Sequence, residues 1–160
     1  MKNIITDKLN SIAKQSNSKT RKVGCLIVLK TDDNKRYNFE GYNQVLTEIH
    51  NYQCNVDEFN NPYVYHAEAI ALNKLTKFIH ESSSINIKSI DIYVNWAPCV
   101  ECTKKMIYLK LETLKKQNTR ITLYYEKAKY TFDNQHHKTQ RDDFIPKNVL
   151  QSVGIEVLKL

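Results

Sequence analysis

The sequence predicts an α/β fold: a three-layer α/β/α sandwich built on a mixed sheet of about five strands. Three observations carry that expectation. Strand-length apolar runs alternate with helix-period segments along the chain, a pattern that places helices on both faces of a sheet. The length of 160 residues suits a single domain, residues 1–160, large enough to bury a core. The composition, 41% hydrophobic with only three Gly and three Pro, is that of a globular chain and argues against disorder.

Each element has its own signal. Ile4, Ile5, Leu9, Ile12 and Ala13 recur at roughly helical intervals over residues 4–15, with Asp7 and Lys8 off that face, which predicts an amphipathic first helix. Ser16-Asn17-Ser18-Lys19-Thr20-Arg21-Lys22 is a polar, basic connector. Residues 23–29 are a compact apolar run that stops at the turn cluster Thr31-Asp32-Asp33-Asn34, and alternation over residues 37–42 returns the chain as a hairpin. Residues 43–65 show little periodicity and many Asn, Tyr and Gln, so this long connection is expected to be a functional or lid-like loop. A helix opens at His66 and buries Ala67, Ile70, Ala71, Leu75 and Phe78, and Ser82-Ser83-Ser84 breaks it. Residues 85–96 alternate as a strand around Ile87, Ile90, Ile92 and Val94. Pro98, at or next to the first helical position, opens a helix carried by Met106, Ile107, Leu109 and Leu114. Residues 120–126 read as strand, 134–141 as polar loop or fraying helix, 144–153 as helix, and 154–158 as a last strand after a glycine stop.

The chemistry gathers in two short stretches, His66-Ala67-Glu68 and Pro98-Cys99-Val100-Glu101-Cys102. Each alone is weak, because a lone C-x-x-C is redox-active, structural or accidental in different proteins. Together they offer three zinc-type ligands, His66, Cys99 and Cys102, and one carboxylate, Glu68, that is not needed as a ligand. Structural zinc sites close with four protein ligands, whereas catalytic sites use three and keep a position for water. Cys99 and Cys102 share a face of a helical first turn, where the unsatisfied N–H groups favour thiolates. A zinc ion held there makes water acidic near neutral pH. Glu68 is then placed to carry a proton to a ring nitrogen and on to the leaving amino group. The competing readings are a redox pair beside a core histidine, or a structural zinc with an unseen fourth ligand.

H-x-E followed by P-C-x-x-C is the signature of the zinc-dependent nucleobase deaminases, and the chain resembles that superfamily. Within it, most of the chain is similar to the deoxycytidylate (dCMP) deaminases. The matching residues are Ser16, Val23-Gly24, Gly41-Tyr42-Asn43, Tyr63-Val64-Tyr65-His66-Ala67-Glu68, Ile92-Tyr93-Val94 and the Val153-Gly154-Ile155-Glu156-Val157 ending. The resemblance implies a cytidine deaminase-like sandwich with one catalytic Zn2+ per chain. It also implies that Asn43 binds the sugar or base, and that Ser16 with a nearby Lys or Arg such as Arg21 binds the 5′-phosphate. Ala67 and Trp96 join that substrate-binding set, Trp96 either stacking on a base or packing under the sheet. Three departures stand out: Gln44 replaces the usual Gly, Ile70 the usual Asn, and Asn95-Trp96-Ala97 precedes the Pro-Cys pair. In Ile70 the chain is nearer the tRNA adenosine deaminases.

The net charge of +7 leans towards anionic partners, nucleotide phosphate or polynucleotide, or is a lysine-rich solvated surface. There is no run of about 18 apolar residues, so a membrane span is not expected. Residues 1–5 meet Thr6, Asp7 and Lys8 before a signal-peptide core forms, and the expected compartment is the cytoplasm. His50 and Cys54 supply only two ligands for a second, structural zinc. His136-His137, Lys104-Lys105 and Lys115-Lys116 read as solvated surface, Cys25 as a buried small hydrophobe, and Tyr124-Tyr125 with Lys127 and Lys129 as a conceivable polynucleotide path. Three functions compete. The first is deamination of a free nucleotide, dCMP to dUMP, by a homo-oligomer. The second is the same chemistry on cytosine or adenine in single-stranded DNA or RNA, tRNA included. The third is a non-catalytic zinc-stabilised module, for which Glu68 would have no purpose.

Overall fold

The computed structural model describes residues 2–45, 48–49, 52–53, 64–82, 85–115, 117–128 and 146–160. In chain order these form α1 (Lys2–Lys14), β1 (Gly24–Thr31), β2 (Arg36–Tyr42), β3 (Gln44–Val45), β4 (Glu48–Ile49), β5 (Tyr52–Gln53), β6 (Val64–Tyr65) and α2 (Ala67–Glu81). There follow β7 (Ile87–Trp96), α3 (Val100–Tyr108), β8 (Arg120–Lys127), α4 (Pro146–Ser152) and β9 (Ile155–Lys159).

Five strands make one mixed sheet in the order β2-β1-β7-β8-β9. β1 pairs antiparallel with both β2 and β7, and β7, β8 and β9 run parallel. The antiparallel β1–β2 pair needs only a tight turn, and Asn34 supplies its left-handed residue at φ 63°. Parallel neighbours need a crossover, and α3 lies in the chain between β7 and β8.

Side chains alternate across β1 and so divide the core in two. Cys25, Ile27 and Leu29 join Ala67, Ala71, Leu75, Ile90, Ile92, Met106, Ile121, Leu123 and Leu150 in the larger cluster, between the sheet and α2, α3 and α4. Leu26 faces the other way and meets Leu9 and Ile12 of α1. Full burial of a Leu or Ile side chain stabilises by about 1.5–3 kcal/mol, so these two clusters dominate what holds the layers together. The three-layer mixed sheet expected from the sequence is the fold observed.

The alignment of α2 depends on a missing side chain. A Cβ on Gly41 would lie 2.1 Å from the Ala67 carbonyl oxygen and 2.9 Å from the Ala71 nitrogen. The first turns of α2 therefore rest directly on β2, which fixes the height of His66 above the sheet. At the far end, Gly154 at φ +78° ends α4 and turns the chain into β9.

Several boundaries differ from the sequence reading. β1 runs on through Lys30 and Thr31, because β2 and β7 both offer partners there. The 43–65 connection contains short strands: β3 pairs with β6, and β4 with β5. Two-residue strands leave no periodicity to read. Pro98 lies before the helix and outside its first turn, and Cys99 is the N-cap. The helix expected to run to Leu114 changes pitch at Tyr108 into a π-helical turn over Leu109–Thr113, closed by Leu114 N–H donating to the Leu109 carbonyl at 3.0 Å. β7 also buries Ser89, Asp91 and Asn95 on its α1 side, a polar stripe that sequence alternation alone would have turned to solvent. Asp91 is ion-paired there with Lys30 at 3.2 Å. No helix among the described residues is long and apolar enough to cross a membrane.

Candidate metal centre and active site

Two helix starts converge. His66 is the N-cap of α2 and Cys99 the N-cap of α3, both with extended backbone, φ −78° and φ −74°. Neither spends its side chain on capping. Their carbonyls accept the first helical bonds, from Ile70 N–H at 3.1 Å and Thr103 N–H at 2.9 Å. The side chains are thus left to face one another. Cys99 Sγ lies 3.3 Å and Cys102 Sγ 3.5 Å from His66 Nδ1. All three ligand atoms fall within 4.8 Å of one another, and Cys102 is buried while His66 and Cys99 are exposed.

That triangle fits zinc. Zn–S near 2.3 Å and Zn–N near 2.0 Å at tetrahedral angles imply S···N edges of about 3.5 Å. The donor set of two thiolates and an imidazole is also the one zinc prefers. Three ligands among the described residues, with an exposed side, leave one tetrahedral position for a small molecule.

The electrostatics agree. Cys102 donates to Cys99, which holds the Cys99 thiol far below its ordinary range, with His66 helping. The same bond, and then burial, push Cys102 upward. The pair therefore keeps one thiolate ready and sheds its other proton when a cation arrives. Glu68 is 4% exposed in the first turn of α2. Burial pushes its carboxyl up to about 7, and the Cys99 charge adds to this against its own backbone N–H, His66 and the Cys102 thiol. A carboxyl group poised there can hold and release a proton near neutrality. Cys25 is buried beneath, its thiol pushed well up by burial and then by Glu68, so it packs as a neutral group.

The remaining residues expected at the site are held by contacts of their own. Asn43 is 8% exposed, with Oδ1 accepting from Val23 N–H at 2.7 Å and Nδ2 donating to the Arg21 carbonyl at 2.9 Å. Ser16 is buried and its hydroxyl accepts from Ser18 N–H at 3.1 Å, so it shapes the connector. Ala67 is fully buried, backbone included. Trp96 carries the Arg21 guanidinium 4.4 Å above its ring, with Lys127 Nζ at 5.8 Å. Such a stack is worth about 0.5–1 kcal/mol at an exposed site. An Arg side chain carries about 2 kcal/mol of rotamer entropy, so the stack needs a fixed backbone beneath it. Of the Tyr pair read as a polynucleotide path, Tyr125 is buried and Tyr124 stacks on Tyr93 at 4.7 Å, while Lys129 lies outside the described residues. Lys104 pairs with Glu101 and Lys115 with Glu112 at the surface. His50, Cys54, His136 and His137 lie outside the described residues.

Asn17 and Asn95 were not picked out as site residues, and Lys127 was read only as part of a polynucleotide path. Asn17 pairs with Val45 through both amide ends at 2.8 Å, and Asn95 bridges the Lys22 carbonyl and Gly24 N–H. The one available signal was position, since Asn43 and Asn95 each stand at a strand end.

The comparisons with known proteins bear on this geometry. The family profile described as the cytidine and deoxycytidylate deaminase zinc-binding region matches residues 3–116. The crystal structure of dCMP deaminase from the cyanophage S-TIM5, in apo form, superposes with a TM-score of 0.60 at 23% identity, covering 99% of this chain and 96% of that one. The tRNA-specific adenosine deaminase of Rickettsia felis is 37% identical over 71 residues, 44% of this chain and 44% of that protein. That of Rickettsia bellii is 40% identical over 60 residues, 38% and 39% of the two. The match thus spans less than half the length of these curated relatives.

Proposed function

The chain belongs to the zinc-binding cytidine and deoxycytidylate deaminase family, and from that premise we propose that it deaminates a free cytosine mononucleotide, dCMP above all, to dUMP and ammonia. Residues 1–160 act in this reading as one deaminase domain, with zinc on His66, Cys99 and Cys102. The observation that carries the mononucleotide choice is Arg21, a cation held over Trp96 three residues before the first cysteine, where one phosphate can meet it.

Zinc in this position supplies a Lewis acid that activates water near neutral pH. The rest falls to the protein. Glu68 accepts the proton of the attacking water and passes it to N3 of the ring as the oxygen bonds to C4. Glu68 then takes the proton of the new C4 hydroxyl and delivers it to the amino group, so that the C4–N bond breaks, the C4 carbonyl forms and ammonia leaves. A reducing, cytoplasmic setting suits the reading, because both thiols must stay unoxidised to bind metal. Self-assembly belongs to it as well. Tyr108, 64% exposed, lines a groove between α2 and α3 together with Leu72, Asn73, Thr76, Lys105 and Leu109, a face suited to a second copy.

A second reading keeps the chemistry and changes the substrate to a base in RNA. It is favoured by the sequence likeness to tRNA-specific adenosine deaminases and by the charge of +7.

Ammonia release across dCMP, deoxycytidine and tRNA separates the two. A single charge-assisted phosphate contact predicts roughly ten- to a hundredfold preference for dCMP over deoxycytidine, collapsing in Arg21→Ala. Turnover of tRNA without turnover of dCMP, with affinity falling by a logarithmic salt slope near −0.7 per phosphate contact, replaces the first reading with the second.

A further inference from the structure

Regular strand register ends on both sides of β1 at its first residues. The last β1–β2 partners are Gly24 and Tyr42, and the last β1–β7 partners are Cys25 and Val94. The next residue on each flanking strand is an asparagine, and its side chain takes over. Asn43 Nδ2 donates to the Arg21 carbonyl and its Oδ1 accepts from Val23 N–H. Asn95 Nδ2 donates to the Lys22 carbonyl at 3.1 Å and its Oδ1 accepts from Gly24 N–H at 3.0 Å. Odd-numbered backbone groups are thus met on one side and even-numbered ones on the other, the pattern of an extended strand in a sheet. Two planar amides continue the ladder through residues 21–24 beyond the last strand partners, beside one backbone bond from Asn43 N–H to the Val23 carbonyl at 3.1 Å. Both are 8% exposed, so their bonds are shielded from water.

We propose that Asn95 is a positioning residue that sets preference for a phosphate-bearing substrate: with Asn43 it clamps residues 21–24 so that the Arg21 guanidinium lies across Trp96 at the site. The inference rests on the mononucleotide reading for its substrate half only. The chemistry needs an amide at this position. Aspartate lacks the donor for the Lys22 carbonyl, and a hydroxyl offers one atom where two separated atoms are bridged. The stack on Trp96 is too weak to order Arg21 by itself, so freeing the backbone frees the guanidinium.

Trp96 is the chain's single tryptophan, so its fluorescence reports on the clamp without reference to substrate. A guanidinium over the ring shields it from a collisional quencher. Zinc-loaded wild type, Asn95→Ala, Asn95→Asp, Arg21→Ala and the Asn95→Ala/Arg21→Ala double variant are compared by acrylamide quenching and by the ratio of dCMP to deoxycytidine kcat/KM. Asn95→Asp keeps the volume and the acceptor and serves if Asn95→Ala does not fold. Both Asn95 variants are expected to raise quenching to the Arg21→Ala level. They are expected to lower the dCMP preference by the same factor as Arg21→Ala, about tenfold or more. In the Arg21→Ala background the Asn95 change then adds nothing, as holds for two residues acting through one contact. Wild-type quenching in the Asn95 variants, or a loss of preference that adds to that of Arg21→Ala, overturns the proposal. If Arg21→Ala leaves the preference untouched, the mononucleotide reading is what fails, and quenching alone then decides the positioning role.

Discussion

Glu68 and the two cysteines lie within one short reach, yet their protons answer to different causes. Burial holds the Glu68 carboxyl up to about 7, so in the metal-free protein the folded state favours its neutral form. The sign follows directly. Its stabilising contribution is complete below about pH 4.5, the unfolded value, and is lost as pH rises through 7. Glu68→Gln stays neutral throughout, so metal-free wild type should lose stability relative to the variant between these limits, by on the order of 3 kcal/mol. Paired urea melts after chelation read this difference; parallel pH profiles for the two proteins would refute it. With zinc loaded, the same substitution should retain metal and fold while cutting turnover by about 10²–10⁴, as expected for a lost proton carrier. Cys99→Ala should instead release zinc, which elemental analysis detects. The grouping of His66, Cys99 and Cys102 was legible in the sequence because ligand type and order along the chain point to it. The sequence did not make the role of Asn43 or Asn95 legible, because an amide that bridges backbone atoms has the same letter as one that meets a ligand.

At the scale of elements, the seat of α2 on β2 decides where His66 stands. Gly41→Ala places a methyl group against the Ala67 carbonyl, and α2 must retreat. Overpacking of this kind costs about 1–3 kcal/mol, and here the displacement also carries off a metal ligand. Gly154→Ala serves as its counterpart: the strain at φ +78° also costs about 1–3 kcal/mol, but at the far end of the sheet order. Both should melt lower, while only Gly41→Ala weakens zinc binding in a competition titration with a chromogenic chelator. Equal zinc affinities would mean that α2 does not transmit the shift. Helices and strands with a full period were readable in the chain, as α1, α2 and β7 demonstrate. The π-helical turn after Tyr108 and the two-residue strands β3 to β6 were not, since each arises from a tertiary partner and leaves no repeat of its own.

For the whole molecule, the mixed sheet order β2-β1-β7-β8-β9 was foreseeable only as a class. Alternation of elements gives layers, but which strand neighbours which depends on long-range pairing such as Ile27 with Ile92. Assembly is testable at the same scale. Tyr108→Asp puts a charge on the exposed lining of the α2–α3 groove and should convert an oligomer to monomer by light scattering. A monomeric wild type with full activity would remove the self-assembly reading. The three asparagine bridges also give the molecule a calendar. Asparagine is among the thermolabile residues, losing ammonia slowly to become aspartate. Asn43 and Asn95 are walled off from water, whereas Asn17, which ties the connector to Val45, is exposed. Once Asn17 is converted, a carboxylate faces the Val45 carbonyl where an amide N–H stood, and that tie becomes a repulsion. A stored preparation should therefore age from the connector inward, its grip on substrate loosening while the metal remains in place, in step with the Asn17 conversion followed by peptide mapping.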